Sequence, residues 1–244
     1  MDSGYYAACA GLRARAQALD QMAGNLANAQ TSGYRSERTV FQSLLAAQTP
    51  SSLPPLNQAL NEFGVLGNSV LDLAPGNLEN TGSALDLAVE GPGFFAVQAG
   101  TGVLYTRNGA FRVSARGQLV TADGNPVLGE QGPLQIPGGS ATIGPDGTVS
   151  VNGANAGKLR VIEFAPGTSL RAEGSSYYSA PADAGRAGTA SSVRQGMLES
   201  SNVNAVTAAV ALITVQREAE MLQRALSLFN TEFQRIAAQD LPRV

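Results

Sequence analysis

The chain has 244 residues, enough for one large domain or two, and 43% of them are hydrophobic, so it can bury a sizeable core. Charged residues make up only 14% and the net charge is −3, which gives no electrostatic reason to expect nucleic acid or an anionic membrane surface as a partner. There is no His and one Cys, Cys9, which excludes imidazole catalysis, an intramolecular disulfide and a Cys-based zinc site. We find neither a basic start followed by an apolar stretch nor an apolar run of membrane length, and expect no cleaved signal and no membrane span.

The N-terminal segment from Ser3 to Asn28 predicts an amphipathic helix. Its apolar residues alternate at spacings of four and three, the period of a coiled-coil seam. They are Tyr5, Cys9, Leu12, Ala16, Leu19, Ala23 and Leu26. Gly11 and Gly24 each cost this helix ~1 kcal/mol relative to Ala, so we expect it to need a partner.

The segment after this helix predicts a turn and then an arm. Thr31, Ser32 and Gly33 stop the helix and turn the chain. Residues 36–45 are compatible with either a short helix or an extended arm. Pro50, Pro54 and Pro55 then indicate a linker-like stretch.

Residues 85–180 predict an antiparallel β domain, since short apolar runs alternate with Gly-containing turns. The strand-sized runs are 94–97, 111–113, 119–121, 149–151 and 159–162. The turn signals are Asn108-Gly109, Arg116-Gly117, Asp123-Gly124, Asp146-Gly147 and Asn152-Gly153. Asn-Gly and Asp-Gly supply the positive φ that tight hairpin turns require. Residues 181–195 are small and weakly patterned, and we expect a connector there.

The C-terminal segment predicts the longest element. No Gly or Pro occurs between Asn204 and Gln239, so a helix about 54 Å long can form, with Asn202 or Asn204 as its cap. Its first part, 205–215, is apolar nearly all the way round. Such a segment must be surrounded, either in the core of the same chain or among helices of other copies. One stripe follows a 3.5-residue period: Ala205, Ala208, Leu212, Val215, Ala219, Leu222, Leu226, Phe229, Phe233 and Ile236.

These patterns predict an α+β fold in which the N- and C-terminal helices pair as a coiled coil and a central antiparallel β domain lies between them. The expected parts are 1–35 (helix and turn), 36–84 (arm or linker), 85–180 (β domain), 181–195 (connector) and 196–244 (long helix). The shorter N-terminal helix cannot cover the full length of the C-terminal helix. We therefore expect the apolar start of the C-terminal helix to remain exposed and to mark an interaction site. The expected assembly interface is Leu12, Leu19, Leu26, Asn28, Leu212, Val215, Leu222, Leu226, Phe229 and Phe233.

The sequence contains few residues that could act in catalysis. Asp86, Glu90 and Glu163 could in principle act as acid and base, but nothing singles out a pair. We expect no catalytic residue, no cofactor and no metal, and hence not an enzyme. The alternative is a β binding module that its helices oligomerise, which an exposed aromatic cluster at Tyr177-Tyr178 would support.

Three collinear stretches resemble the bacterial flagellar rod and hook proteins. Residues 26–35, Leu-Ala-Asn-Ala-Gln-Thr-Ser-Gly-Tyr-Arg, are similar to the N-terminal signature of that family, with Gly24 in place of its first Asn and Arg35 in place of its usual Lys. Residues 196–204, Gly-Met-Leu-Glu-Ser-Ser-Asn-Val-Asn, are similar to its C-terminal motif. In between, residues 85–91, 93–95, 105–111 and 119–124 look like the opening of its β domain.

The resemblance implies a structural axial protein of the flagellar basal body, in the periplasmic space, exported by the flagellar type III apparatus without a cleaved signal. It implies an inner tube built from the terminal helices, with the β domain outside. The implied partners are copies of the chain, other rod and hook proteins, the export apparatus and an enclosing ring protein. The Met-Asp start, modest length and missing inserted domain favour a rod protein, and the Leu-Pro-Arg-Val ending favours a proximal one; a distal rod or hook subunit is the alternative.

Overall fold

The structure, a computed structural model, describes residues 2–40, 68–100, 102–174, 176–181 and 183–240. They form two long helices and 19 short strands, and all strand pairs whose register is defined are antiparallel. The chain divides into two compact units. The helix unit holds both long helices and the chain around residues 38–69, and the β unit holds residues 27–37 and 70–204.

The helices begin and end within one residue of the predicted bounds. Helix α1 is Asp2–Ala27 and helix α2 is Ala205–Asp240. Asn202 does not cap α2, because its side chain is bonded elsewhere in the β unit. Asn204 directly precedes the helix, at the position that a capping residue occupies.

Within the helix unit, distances between described residues show which parts of α1 and α2 lie side by side. Arg15 Nε lies 3.2 Å from Glu218 Oε2, and a Cβ placed on Gly11 would lie 4.0 Å from Leu222 Cδ1. One helix advances by four residues as the other falls back by four, so the two helices run antiparallel.

Over its described positions, from Ala205 to Leu226, the apolar stripe predicted on α2 is largely the covered face, with Val215 and Ala219 buried and Ala205 exposed. The stripe predicted on α1 is wrong at two positions. Ala16 and Ala23 are exposed, and Ala18, which lies off that stripe, is buried. Small residues occur all round α1, so their spacing did not define one face.

The strands follow in chain order. They are β1 (Glu37–Val40), β2 (Asn68–Leu71), β3 (Leu78–Asn80), β4 (Leu87–Glu90), β5 (Phe94–Ala99), β6 (Gly102–Thr106), β7 (Arg112–Val113), β8 (Leu119–Val120), β9 (Leu128–Gly129), β10 (Gly132–Pro133), β11 (Ala141–Ile143), β12 (Thr148–Val151), β13 (Ala154–Lys158), β14 (Val161–Phe164), β15 (Arg171–Ala172), β16 (Tyr177–Ser179), β17 (Gly185–Ala187), β18 (Ser192–Gln195) and β19 (Met197–Glu199). Each of the five predicted strand-sized runs overlaps one of these strands.

The largest sheet has six strands in the order β15-β16-β6-β5-β14-β17. Smaller sheets pair β11-β12-β13, β18 with β4 and β19 with β3. The main core lies in this unit, where Phe95 and Phe111 pack edge to face with their ring centroids 5.2 Å apart. Burial of such apolar side chains is the main source of stability for a unit of this kind.

Four of the five predicted turns have a glycine with positive φ, and the turn at Gly109 does not. Asn152 and Gly153 have φ of 52° and 84° and join β12 to β13 as a two-residue hairpin. Gly109 does not have a positive φ. A Cβ there would lie 1.6 Å from the carbonyl oxygen of Leu87, so this glycine permits a close backbone approach instead.

Residues 181–195, expected to be a connector, contain two strands. β17 pairs with β14, and β18 pairs with β4 along four residues. β19 then pairs with β3, which lies in the expected arm. Residues 36–45 were expected to form either a short helix or an extended arm. Their described part contains strand β1 and is therefore extended, whereas residues 41–67 are outside the described residues. These strands are defined by distant partners, so local pattern did not reveal them.

Candidate functional site

The two segments that continue into the helices are bonded to each other within the β unit. Gly33 donates its N–H to the carbonyl oxygen of Glu199 at 2.7 Å, and Asn202 donates its N–H to the carbonyl oxygen of Tyr34 at 3.4 Å. The first segment follows α1 and the second precedes α2. We name this region, residues 33–36 and 196–204 with the side chains around them, the junction.

Three buried charged side chains lie at the centre of the junction. Arg35, Arg107 and Glu199 are 0%, 2% and 1% exposed. Arg35 Nη2 lies 2.5 Å from Glu199 Oε1, and Arg107 Nη1 lies 3.2 Å from Glu199 Oε2. One carboxylate therefore binds one arginine from each of two distant parts of the chain. Burial removes water that would screen such pairs, so the loss of one partner is costly.

Further bonds fix the position of this cluster. The backbone N–H of Gly76 donates to Glu199 Oε1 at 2.9 Å. Arg107 donates to the carbonyl oxygens of Val89 at 3.0 Å and Gly91 at 2.5 Å. Its guanidinium carbon lies 4.7 Å from the centroid of the Phe94 ring, a cation–π contact. The cluster thus joins the junction to the edge of the β core.

The cluster holds two positive charges and one negative charge. No described residue accepts a hydrogen bond from Arg35 Nε, Arg35 Nη1 or Arg107 Nε. Burial, opposed by Glu199 and assisted by Arg35, lowers the pKa of Arg107 to about 10. Among the described residues, Glu199 is the carboxylate that pairs with both arginines, so its charge should matter more than that of an exposed surface carboxylate.

Tyr178 closes the cluster on another side. Its hydroxyl accepts the backbone N–H of Arg35 at 2.9 Å and donates to the carbonyl oxygen of Gly33 at 3.3 Å. Burial raises the pKa of Tyr178 to about 12. Burial, followed by the nearby Glu37 carboxylate, also raises the pKa of Tyr34 to about 12. Both phenols therefore remain neutral well above their ordinary range.

Two glycines allow the backbones of the junction to meet. Gly33 has a φ of +70°, and a Cβ there would lie 2.3 Å from the carbonyl carbon of Arg107. A Cβ on Gly76 would lie 1.9 Å from the carbonyl oxygen of Ser200. Contacts that short are impossible for real side chains, so the junction forms only with glycine at these positions.

Asn202 binds three backbone groups of the β unit. Its Oδ1 accepts the N–H of Ser36 at 2.8 Å, and its Nδ2 donates to the carbonyl oxygens of Asp72 at 2.9 Å and Ala74 at 3.0 Å. The side chain therefore holds the residues after α1, the chain after β2 and the residues before α2 together.

The interface residues predicted from the sequence lie on the helices and in the turn after α1. Val215 is buried, and Leu12, Leu19, Leu26, Asn28, Leu212, Leu222 and Leu226 are half-buried. The side chains of Phe229 and Phe233 are outside the described residues. Asn28 accepts a hydrogen bond from the Thr31 hydroxyl at 3.1 Å and thereby stabilises the turn after α1.

The residues of the junction cluster were not among those predicted, although Arg35, Arg107 and Glu199 each fall in a stretch that carries the family resemblance. A charged residue in an otherwise small or apolar stretch was the available signal. Nothing in one sequence indicates that residues 35 and 199 meet, since 164 residues separate them.

The carboxylates considered for acid–base chemistry are engaged in other bonds. Asp86 accepts from the Thr81 hydroxyl at 2.6 Å, Glu90 lies 2.7 Å from Arg194, and Glu163 accepts from Ser191 and Ala190. Among the described residues, no group of three His, Cys, Asp or Glu side chains could hold a metal ion. In the same part of the chain, neither helix is long and apolar enough to span a membrane.

The aromatic pair that would support a binding module is not an exposed cluster. Tyr178 is buried in the junction, and Tyr177 is half-buried. The Tyr177 hydroxyl donates to Asp123 Oδ2 at 2.5 Å and lies 2.9 Å from the Thr121 hydroxyl. Both hydroxyls therefore form hydrogen bonds within the β unit.

Comparison with known proteins matches two family models to this chain. Residues 88–151 match the flagellar hook protein FlgE/F/G D1 domain, and residues 194–238 match the flagellar basal body rod FlgEFG protein C-terminal. The second match includes Glu199, Asn202 and most of α2.

Several curated proteins are similar over most of their length. The flagellar basal-body rod protein FlgF of Mesorhizobium japonicum is 32% identical, covering 90% of each chain. FlgG of Agrobacterium fabrum is 34% identical over 90% of this chain and 92% of its own. FlgF of Caulobacter vibrioides is 32% identical over the full length of both chains. On this similarity, together with the two family models, the chain belongs to the flagellar basal-body rod protein family.

Proposed function

We propose that this chain is a structural subunit of the flagellar basal-body rod and that it polymerises through its two terminal helices. One observation carries the proposal beyond family membership. Val206, Val210, Ile213, Met221 and Leu228 of α2 are between 51% and 75% exposed in the single chain. Large apolar side chains in a row on one element mark an interaction surface.

The helices of one copy are proposed to pair as an antiparallel coiled coil. The contacts at Gly11–Leu222 and Arg15–Glu218 support this pairing, and their register extends to Ala18 opposite Val215, both of which are buried. The proposed interface residues are Leu12, Leu19, Leu26, Asn28, Leu212, Val215, Leu222, Leu226, Phe229 and Phe233. Those whose side chains the structure describes are buried or half-buried.

The same register moves the overhang to the other end of α2. It places the start of α2 opposite the end of α1, so the helix extends past its partner near Asp240. The sequence prediction placed the uncovered part at the apolar start. That start is exposed for a different reason: a single partner helix covers only one face of a segment that is apolar all round.

The junction is proposed to transmit torque between the helices and the β unit. The segments after α1 and before α2 share the buried carboxylate of Glu199, so a load on either helix reaches both arginines. A shaft that transmits torque needs this connection to be stiff, and a buried charge cluster resists displacement because separating its charges is costly.

The remaining parts of the proposal follow from the family. We propose a proximal position in the rod, in the periplasmic space, export by the flagellar apparatus without a cleaved signal, and contact of the β unit with an enclosing ring. Other axial proteins would be its neighbours. Relatives named FlgF and FlgG match at 32% and 34% identity, so labelling the chain in purified basal bodies is the measurement that distinguishes a proximal from a distal position.

Substitution in the seam tests polymerisation. We expect Leu222→Asp to abolish incorporation into basal bodies, because it introduces a charge where the helices meet, and to leave the β unit folded. Gln223→Asp, at the exposed neighbouring position, is the matched control and should be incorporated normally. Normal incorporation of Leu222→Asp would refute the seam.

A further inference from the structure

The buried charges of the junction do not balance among its own residues. Arg35 and Arg107 contribute two positive charges and Glu199 contributes one negative charge, and the three side chains are at most 3% exposed. Glu37 is two residues from Arg35, but it is exposed, so water screens its charge. The Tyr178 hydroxyl is neutral, since burial raises its pKa to about 12. The cluster therefore carries one uncompensated positive charge.

The same two arginines have hydrogen-bond donors to spare. Among the described residues, none accepts a hydrogen bond from Arg35 Nε, Arg35 Nη1 or Arg107 Nε. A guanidinium has donors and no acceptor, so these nitrogens cannot bond to one another. A buried charged donor without an acceptor is costly, and such donors in a folded protein usually bind an ordered water or an ion. The arginines therefore call for an acceptor that the chain itself does not supply.

Other bonds hold these donors in place. Arg107 Nη1 donates to the carbonyl oxygen of Val89 and to Glu199, and Nη2 donates to the carbonyl oxygen of Gly91. Its guanidinium also lies against the Phe94 ring. Arg35 is fixed through Nη2, which donates to Glu199. The donors are thus ordered before any ligand binds, and a ligand need not restrict them further.

Charge and burial together specify the missing acceptor. A water molecule would accept the hydrogen bonds but would leave the positive charge uncompensated, whereas an anion does both. A carboxylate or phosphate of another macromolecule cannot reach side chains that are this deeply buried. One negative charge makes the cluster neutral, and a second would leave it charged again. The acceptor that fits is therefore a small, free, monovalent anion.

We propose that the junction binds one small monovalent anion of the chloride type through the unpaired N–H groups of Arg35 and Arg107. Because both side chains are buried, the anion enters as the segments after α1 and before α2 come together, and it is retained while they remain bonded. A ligand that binds only the folded state adds to its stability. The anion is then a structural component of the β unit, and its binding does not depend on how copies polymerise.

The chloride dependence of unfolding tests the site in the full chain. Urea midpoints are followed by tyrosine fluorescence, with Tyr5 and Tyr6 replaced by Phe so that the four remaining tyrosines all lie in the β unit. Sodium gluconate, whose anion is too bulky for a closed site, is exchanged for sodium chloride at constant ionic strength. The midpoint should rise by about 0.7 M for each tenfold increase in chloride above the dissociation constant. A midpoint that is the same in both salts would overturn the inference.

Matched substitutions separate the site from general effects of salt. Arg35→Lys keeps the positive charge but removes the unpaired guanidinium donors, so most of the chloride dependence should disappear. Arg194→Lys makes the same change in the half-exposed pair with Glu90 and should keep the full dependence. Glu199→Gln raises the charge of the cluster from +1 to +2, so part of the stability that it loses in gluconate should return in chloride. Equal chloride dependence in Arg35→Lys and Arg194→Lys would contradict the proposal.

Anomalous diffraction gives a second readout that does not require any variant to fold. Bromide has the same charge as chloride and a similar size, and its anomalous signal distinguishes it from water. Crystals of the native chain grown in sodium bromide should show an anomalous peak within hydrogen-bond distance of Arg35 Nε, Arg35 Nη1 or Arg107 Nε. A water molecule at that position, without anomalous signal, would overturn the inference and leave the proposed function standing.

Discussion

The charge of Glu199 is predicted to hold the junction together, and Glu199→Gln removes that charge without changing the size of the side chain. In the native chain its two oxygens accept hydrogen bonds from Arg35, Arg107 and the Gly76 N–H. The Gln amide accepts hydrogen bonds through one oxygen only. Its NH2 group would face a guanidinium, which has donors but no acceptor. Two buried positive charges would then lack a counter-charge.

The expected loss of stability follows from this burial. Removing one partner of a buried ion pair costs roughly 3–5 kcal/mol, a large part of the 5–15 kcal/mol that stabilises a typical domain. With a urea m-value of about 2 kcal/mol/M, the unfolding midpoint should fall by about 2 M. With Tyr5 and Tyr6 replaced by Phe, tyrosine fluorescence reports on the β unit, since the other four tyrosines, Tyr34, Tyr105, Tyr177 and Tyr178, are in it and the chain has no Trp.

Glu90→Gln is the matched control, because Glu90 also pairs with an arginine, Arg194, at 2.7 Å. Both of those side chains are about half exposed, so the pair should contribute only about 0–1 kcal/mol. Equal midpoint shifts for Glu199→Gln and Glu90→Gln would refute the reasoning that burial makes the cluster important.

Three further predictions concern the junction and the helices. Burial raises the pKa of Tyr178 from 10 in the unfolded chain to about 12, so its contribution to the free energy of unfolding is complete below pH 10 and falls by about 3 kcal/mol as the pH rises to 12. In urea titrations at several pH values, Tyr178→Phe should therefore lose less stability at alkaline pH than the native chain. An equal loss in both chains would contradict this. Gly76→Ala should destabilise the β unit strongly, because its Cβ would meet the Ser200 carbonyl, whereas Gly102→Ala, with 4.0 Å of room, should unfold near the native midpoint; equal midpoints would exclude the close approach. Both helices should be partly disordered before assembly, so circular dichroism at low concentration should give less helix than the fold contains, and full helicity there would contradict the prediction.

Elements with local signals were predictable from the sequence. The bounds of α1 and α2 follow from uninterrupted helical pattern and from the turn residues beside it, and Asn152-Gly153 specifies its own hairpin. The face of α1 was less predictable, because Ala16, Ala18 and Ala23 have the same side chain and only packing distinguishes them.

Elements defined by distant partners were not predictable. β17 is exposed at all three residues and is a strand because it pairs with β14. The charge cluster requires Arg35 to meet Glu199 across most of the chain, which no local pattern encodes. The resemblance marked the right stretches, but it did not reveal that they converge on one buried carboxylate.

The most direct test of the central claim is imaging of purified basal bodies from cells that lack this chain. If the chain builds the rod through its terminal helices, the rod should end where the first copy would have been added, and the axial parts beyond that point should be missing. A rod of full length, with all later axial parts attached, would contradict the account.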